Sequence, residues 1–126
     1  MVGQLCARLK APNEFRELAV LVARYHTHCH RAAELRPETL LEVLEALGSF
    51  RRSERFEQFL LACMADARGR TGHEQDAYPQ ADLFRRAQVA AAQVAVQPFL
   101  DQGLAGAAIA AAIRAARIAA IRAASR

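Results

Sequence analysis

Apolar residues recur every three or four positions along most of this chain, the spacing that gathers them on one face of an α-helix. Phe15, Leu18, Val22 and Tyr25 form such a stripe on a helix predicted over Glu14–Arg31. Leu40, Leu41, Leu44 and Leu47 form the next one. It follows Pro37, a residue suited to a helix's first turn, and Gly48 stops it. Ser53 is the expected N-cap of a third helix whose buried stripe is Phe56, Phe59, Leu60 and Cys63, ended by Gly69 and Gly72. The segment Arg70–Tyr78 has no apolar period and reads as a loop, after which Pro79 opens a helix over Gln80–Val96. Phe99–Gly106 reads as a connector, and Ala107–Arg126 as a last helix rich in alanine, the strongest helix former. In that helix Ile109 and Ile113 share a face with Ala116 and Ala120. Ile118 and Ile121 fall among Arg114, Arg117 and Arg122, and should be exposed unless something packs over them. At the other end, Leu5 and Leu9 mark a helix too short to stand alone in water. No alternating β pattern occurs. The predicted fold is all-α, a bundle-like array of about five to six helices.

Composition adds boundaries to this picture. With 126 residues, 53% hydrophobic and 24% charged, the chain has material for one packed domain and not the make-up of a disordered tail. Met1–Lys10 lacks the layout of a secretory signal. No stretch reaches the ~20 apolar residues of a membrane helix, since Arg114 and Arg117 interrupt the last apolar run. A soluble protein with no membrane partner is expected. Cys6, Cys29 and Cys63 are odd in number and widely spaced, which fits reduced thiols in a reducing cytoplasm. The net charge of +4 comes from arginines and a lone Lys10. Guanidinium groups suit phosphate oxygens, so the excess permits nucleic-acid binding without establishing it.

The densest candidate chemistry is the run Tyr25-His26-Thr27-His28-Cys29-His30. On a helix, His26, Cys29 and His30 share a side while His28 points away. Such a set could begin a zinc site, but a closed one needs four ligands and no second pair is present. The alternative is ordinary surface or core-edge histidines. Asp66, Asp76, Asp82 and Asp101 are isolated, without the paired carboxylates of two-metal phosphoryl transfer. Gly103 and Gly106 lack the lysine and hydroxyl of a phosphate loop, and no serine has the context of a nucleophile. Arginines cluster at Arg51-Arg52-Arg55, Arg68-Arg70, Arg85-Arg86 and Arg114-Arg117. Together they would form a surface that follows a folded RNA's backbone, reading shape and phosphate more than bases, because the phenylalanines sit mostly on core stripes.

The run Leu60–Gly72, reading LLACMADARGRTG, with Tyr78-Pro79-Gln80 after it, resembles the C-terminal region of bacterial multifunctional CCA-adding tRNA nucleotidyltransferases. So, in order along the chain, do Ala11-Pro12-Asn13-Glu14, Leu35-Arg36-Pro37-Glu38-Thr39, Phe50-Arg51-Arg52, Arg55-Phe56-Glu57-Gln58 and Arg117-Ile118-Ala119-Ala120-Ile121. The resemblance implies a nucleotidyltransferase head, a helical middle and an HD-type metal phosphohydrolase domain with a helical tail, acting together on the 3′-terminal CCA of tRNA. On that plan residues 1–72 are the latter part of the HD domain, N-terminally truncated, and residues 73–126 are the helical tail. No His-Asp dipeptide is present, so the dyad and the head are expected upstream. His26 and Asp66 resemble surviving members of the metal shell. Arg51, Arg52, Arg68, Arg70, Arg85, Arg86, Arg114 and Arg117 are the expected RNA contacts. The family implies Mg²⁺ for nucleotidyl transfer and a divalent transition metal for the HD domain, with no cofactor held by this chain alone and no catalytic residue assigned. Partners are tRNA and the missing head, not DNA. Two positions depart from the pattern, Met64 for a usual Glu and Ala105 for a common Lys. The expected role is helical scaffold and tRNA contact, inactive alone. The alternatives are a residual metal-dependent phosphohydrolase or an independent helical interaction module.

Overall fold

The computed structural model describes residues 12–69, 72 and 75–125. Among them there is no strand. Six α-helices and one 3₁₀ turn account for the regular structure: α1 (Pro12–His30), the 3₁₀ turn Ala32–Glu34, α2 (Pro37–Ala46), α3 (Ser53–Arg68), α4 (Pro79–Ala92), α5 (Gln97–Asp101) and α6 (Gly106–Ala124). The helix suggested by Leu5 and Leu9 lies outside the described residues.

Prolines and glycines set most of the boundaries. Pro37 and Pro79 occupy first turns, where the missing N–H would have no intrahelical partner anyway. Gly48, at φ +67°, carries the chain out of α2 in a left-handed conformation that a Cβ would strain. Ser53 is not the N-cap expected of it. It is the first helical residue, and Arg52 precedes the helix without a capping side-chain hydrogen bond. The fourth helix also ends four residues before the expected Val96. The last bonds of α4 run from the Gln93 N–H to Val89 and from the Val94 N–H to Ala91, after which the chain restarts as the five-residue α5 with Pro98 in its first turn, where a missing N–H forfeits no intrahelical bond.

One core cluster joins the elements. Leu18 and Cys29 of α1, Leu40, Leu41, Val43 and Leu44 of α2, Phe56, Phe59, Leu60 and Cys63 of α3, and Ala81, Phe84, Ala87 and Ala91 of α4 are all buried in it. α1 lies along α3, while α6 packs against α4 and α2. The last helix corrects one expectation. Ile121 is 0% exposed and Ile118 packs half-buried on the core, so the face expected to be bare is the docked one. The arginines around it turn outward to acids of α2. Arg114 reaches Glu42 at 3.4 Å and Glu45 at 3.2 Å, and Arg122 reaches Glu38 at 3.1 Å. Exposed pairs of this kind add at most about 1 kcal/mol each, so burial of the isoleucine stripe dominates the docking.

Candidate functional site

α1, α3 and the start of α4 meet where α1 ends. His30 sits in the last turn of α1, Asp66 in the last turn of α3, and Tyr78 immediately before Pro79. The His30 Nε2 lies 2.9 Å from Oδ2 of Asp66, and its Nδ1 lies 2.8 Å from the Tyr78 hydroxyl. The same hydroxyl is 3.3 Å from Sγ of Cys29, which is buried in the core as Cys63 is. A chain of polar groups thus runs from the exposed Asp66 carboxylate to the Cys29 thiol, which is 0% exposed. Gln80 closes the corner by donating its amide to the His30 carbonyl at 3.1 Å.

Proton positions follow from the inventory of donors. If His30 carries both ring protons, it donates to Asp66 and to Tyr78, and Tyr78 donates to Cys29. If it carries one, on Nε2, Tyr78 donates to Nδ1 and can accept from Cys29. Both arrangements leave every member partnered. Hydrogen bonds from Cys63 and Tyr78 hold the Cys29 thiol below its ordinary range against the opposing effect of burial. Cys63 is pushed up, first by its bond to Cys29 and then by burial; Tyr78 is pushed up, first by burial and then by its bond to Cys29. Tyr78 therefore acts as a neutral hydroxyl that ties the start of α4 to the end of α1. Tyr78→Phe should lower unfolding free energy by about 1–2 kcal/mol, because it leaves buried partners unsatisfied while keeping the ring. A urea denaturation curve reads this as a lower midpoint at an unchanged slope.

Beside this chain opens a cleft of about 280 Å³, bordered by His30, Arg68, Asp76, Tyr78 and Gln80. Arg68 spends its Nε on the Asp76 carbonyl at 2.8 Å.

The other arginines expected on RNA are divided. Arg52 approaches Glu14 at 3.6 Å and Glu17 at 3.7 Å. Arg85 forks onto Glu57 and also reaches Asp82 at 3.0 Å. The Arg117 guanidinium stacks 4.7 Å above the Phe50 ring. Arg51 and Arg86 are exposed, with no ion pair or hydrogen bond of their side chains among the described residues. Arg70 lies outside the described residues. The arginines do not form one patch. Arg52 and Arg68 stand at opposite ends of α3, about 24 Å apart at 1.5 Å per residue, while Arg51, Arg114 and Arg117 gather around the turn between α2 and α3.

Comparison with known proteins gives one consistent result. The multifunctional CCA protein of Thioalkalivibrio sulfidiphilus is 51% identical over 122 residues, covering 97% of this chain and 30% of that protein. Those of Methylococcus capsulatus and Alkalilimnicola ehrlichii are 55% and 53% identical, covering 96% and 100% of this chain and 29% and 30% of theirs. The chain belongs to the multifunctional CCA protein family. It corresponds to a C-terminal part and spans about three tenths of those relatives' length. No family model matches the chain, and no solved structure is significantly similar to it.

Within the CCA family frame, the two residues expected of a metal shell fare differently. His26 is held as a metal-ligating histidine is held: its Nδ1 donates to the Val22 carbonyl at 2.9 Å, which leaves Nε2 as the acceptor. Asp66, however, is engaged by His30 and not by His26, whose ring lies 5.9 Å from that of His30. Among the described residues no three His, Cys, Asp or Glu side chains come together as a metal would need. As arranged, they do not fit a complete shell. His30 was visible in the sequence as the second imidazole on the His26 side, but its pairing with Asp66, 36 residues away, was not. Of the two departures from the family pattern, Met64 packs half-buried against the core and Ala105 is the extended residue that leads into α6.

Proposed function

We propose that this chain is a helical scaffold of a CCA-adding tRNA nucleotidyltransferase, contributing phosphate contacts to tRNA during 3′-end maturation and repair, and doing so in the cytoplasm. The observation that carries the reading is identity of 51–55% to multifunctional CCA proteins, running along nearly the whole chain. The arrangement of charge supports it. Among the described residues Arg51 and Arg86 are exposed without an ion pair, and the Arg117 guanidinium carbon sits 4.7 Å over the Phe50 ring, with no carboxylate paired to it. The chemistry of nucleotide addition, with its Mg²⁺, belongs on this reading to the head and not to this chain. The family layout of an HD part over residues 1–72 and a tail over 73–126 is part of the same proposal. Titrating the chain with tRNA at rising salt tests it, since absence of binding at low salt would remove the RNA role.

A residual metal-dependent phosphohydrolase is the second reading, favoured only by the cleft beside His30. Its metal proposal assigns His26 and Asp66 as ligands, and the remaining donors would have to come from elsewhere. Incubation with a phosphomonoester and Mn²⁺, Ni²⁺ or Mg²⁺ should release no phosphate from the chain alone. Release that His26→Ala abolishes would establish this reading in place of the first.

A further inference from the structure

The outer side of α1 carries apolar surface that the described residues leave bare. Arg16, Ala19, Val20, Ala23 and Thr27 fall opposite the buried Leu18 on that helix, and all five are exposed. Val20, at 62%, is the most exposed of the large hydrophobic side chains among the described residues. α1 packs against α3 and α4, and Leu18 belongs to the core they share. Beside Val20 opens a shallow groove of about 340 Å³, bordered by Arg16, Glu17 and Leu21, by Ala46 at the end of α2 and by Arg55 of α3. Its rim is unevenly charged. Glu17 is held by Arg52 and Arg55, whereas Arg16 has no ion pair or hydrogen bond of its side chain among the described residues.

We infer that this groove and the bare side of α1 are an interface. Its occupant is the part of the longer protein that precedes the matched region, docking an apolar edge on Val20 and a carboxylate on Arg16. Three observations select that occupant. The chain corresponds to a C-terminal part of multifunctional CCA proteins and covers 30% of the Alkalilimnicola ehrlichii protein, so most of such a protein precedes the matched region. The groove lies along the first half of α1, with Val20 about 12 Å along the axis from Pro12, so a chain that runs into Pro12 passes close to it. Six side chains border the groove, against about 20–30 residues a side in a stable interface between separate molecules. A contact that small does not hold a second copy, but it suffices for a segment of the same chain, whose effective concentration is of millimolar order. An RNA backbone is the wrong chemistry for it, since Val20, Leu21 and Ala46 offer a phosphate no donor and Glu17 repels one. The inference rests on the scaffold part of the proposed function and not on tRNA contact, so a chain that binds no tRNA leaves it standing.

For the test, Val20→Cys is made in the 126-residue chain and in a longer protein, in which this chain replaces the matched C-terminal part of the Alkalilimnicola ehrlichii protein. Both are pulsed with N-ethylmaleimide and the labelled sites mapped by mass. Val89→Cys is the reference, since Val89 is 49% exposed on α4, away from the groove. In the longer protein the thiol at position 20 should be labelled about tenfold more slowly than in the chain alone, while that at position 89 keeps its rate. Backbone hydrogen exchange over residues 16–23, with no substitution at all, should slow in parallel. Adding Arg16→Glu should restore fast labelling at position 20, and protection that survives it overturns the carboxylate assigned to the occupant. Equal labelling at position 20 in the two proteins, or slowing no greater than at position 89, overturns the interface. Slowing in the chain alone as its concentration rises overturns the occupant in favour of a second copy.

Discussion

Ile121→Ala should destabilise the chain by about 2–5 kcal/mol, the range for removing a buried aliphatic side chain and leaving its space unfilled. By its position in the sequence, five residues from the C-terminus and flanked by Arg114, Arg117 and Arg122, the same substitution would change stability by no more than about 0.5 kcal/mol. The structure decides between these values. Ile121 is 0% exposed, and α6 packs along both α4 and α2. For a domain of this size the loss corresponds to a fall of about 10 °C in melting temperature. Val20→Ala is the matched control, since Val20 is 62% exposed and its change should be within about 0.5 kcal/mol. A drop for Ile121→Ala as small as that for Val20→Ala would mean that α6 is not docked as described.

The case of Ile121 shows where sequence periodicity carries information and where it stops. The faces of α2 and α3 were legible because leucines and phenylalanines stand out against Glu, Gln and Arg at the alternate positions. In α6 the background is alanine, which fits either side of a helix, so the arginines dominated the reading and pointed the wrong way. Arg114 and Arg122 are received by Glu38, Glu42 and Glu45 of α2, and no local pattern announces partners some 70 to 84 residues away. The same limit applies to the site. The helix bearing His26, Cys29 and His30 was readable from spacing. That His30 would bridge Asp66 and Tyr78, or that Tyr78 would reach Cys29, depends on how three helices cross, and side-chain spacing within one helix does not encode that. Element ends behaved similarly. Pro37, Gly48 and Pro79 marked boundaries by backbone chemistry, whereas the break after Ala92 falls within a segment of otherwise helical composition.

Ion pairing also sharpens the account of RNA contact. A guanidinium already forked onto a carboxylate brings little net charge to a phosphate, because that carboxylate must be displaced or repels the ligand. Arg85, held by Glu57 and Asp82, and Arg114, held by Glu42 and Glu45, are therefore structural first. Arg51, Arg86 and Arg117 are the arginines from which phosphate contacts are expected.

The salt dependence of tRNA binding tests the central claim most directly. With about three phosphates neutralised, affinity should fall about 40-fold between 50 and 200 mM monovalent salt, since each contact releases most of one counterion. Arg51→Gln and Arg86→Gln should each weaken binding at low salt and reduce the slope of log affinity against log salt by about one. Arg85→Gln should lower stability while leaving that slope nearly unchanged. Binding that is absent at 50 mM salt, or a slope that Arg85→Gln alters and Arg51→Gln does not, would contradict the proposal that this helical array meets tRNA through its unpaired arginines.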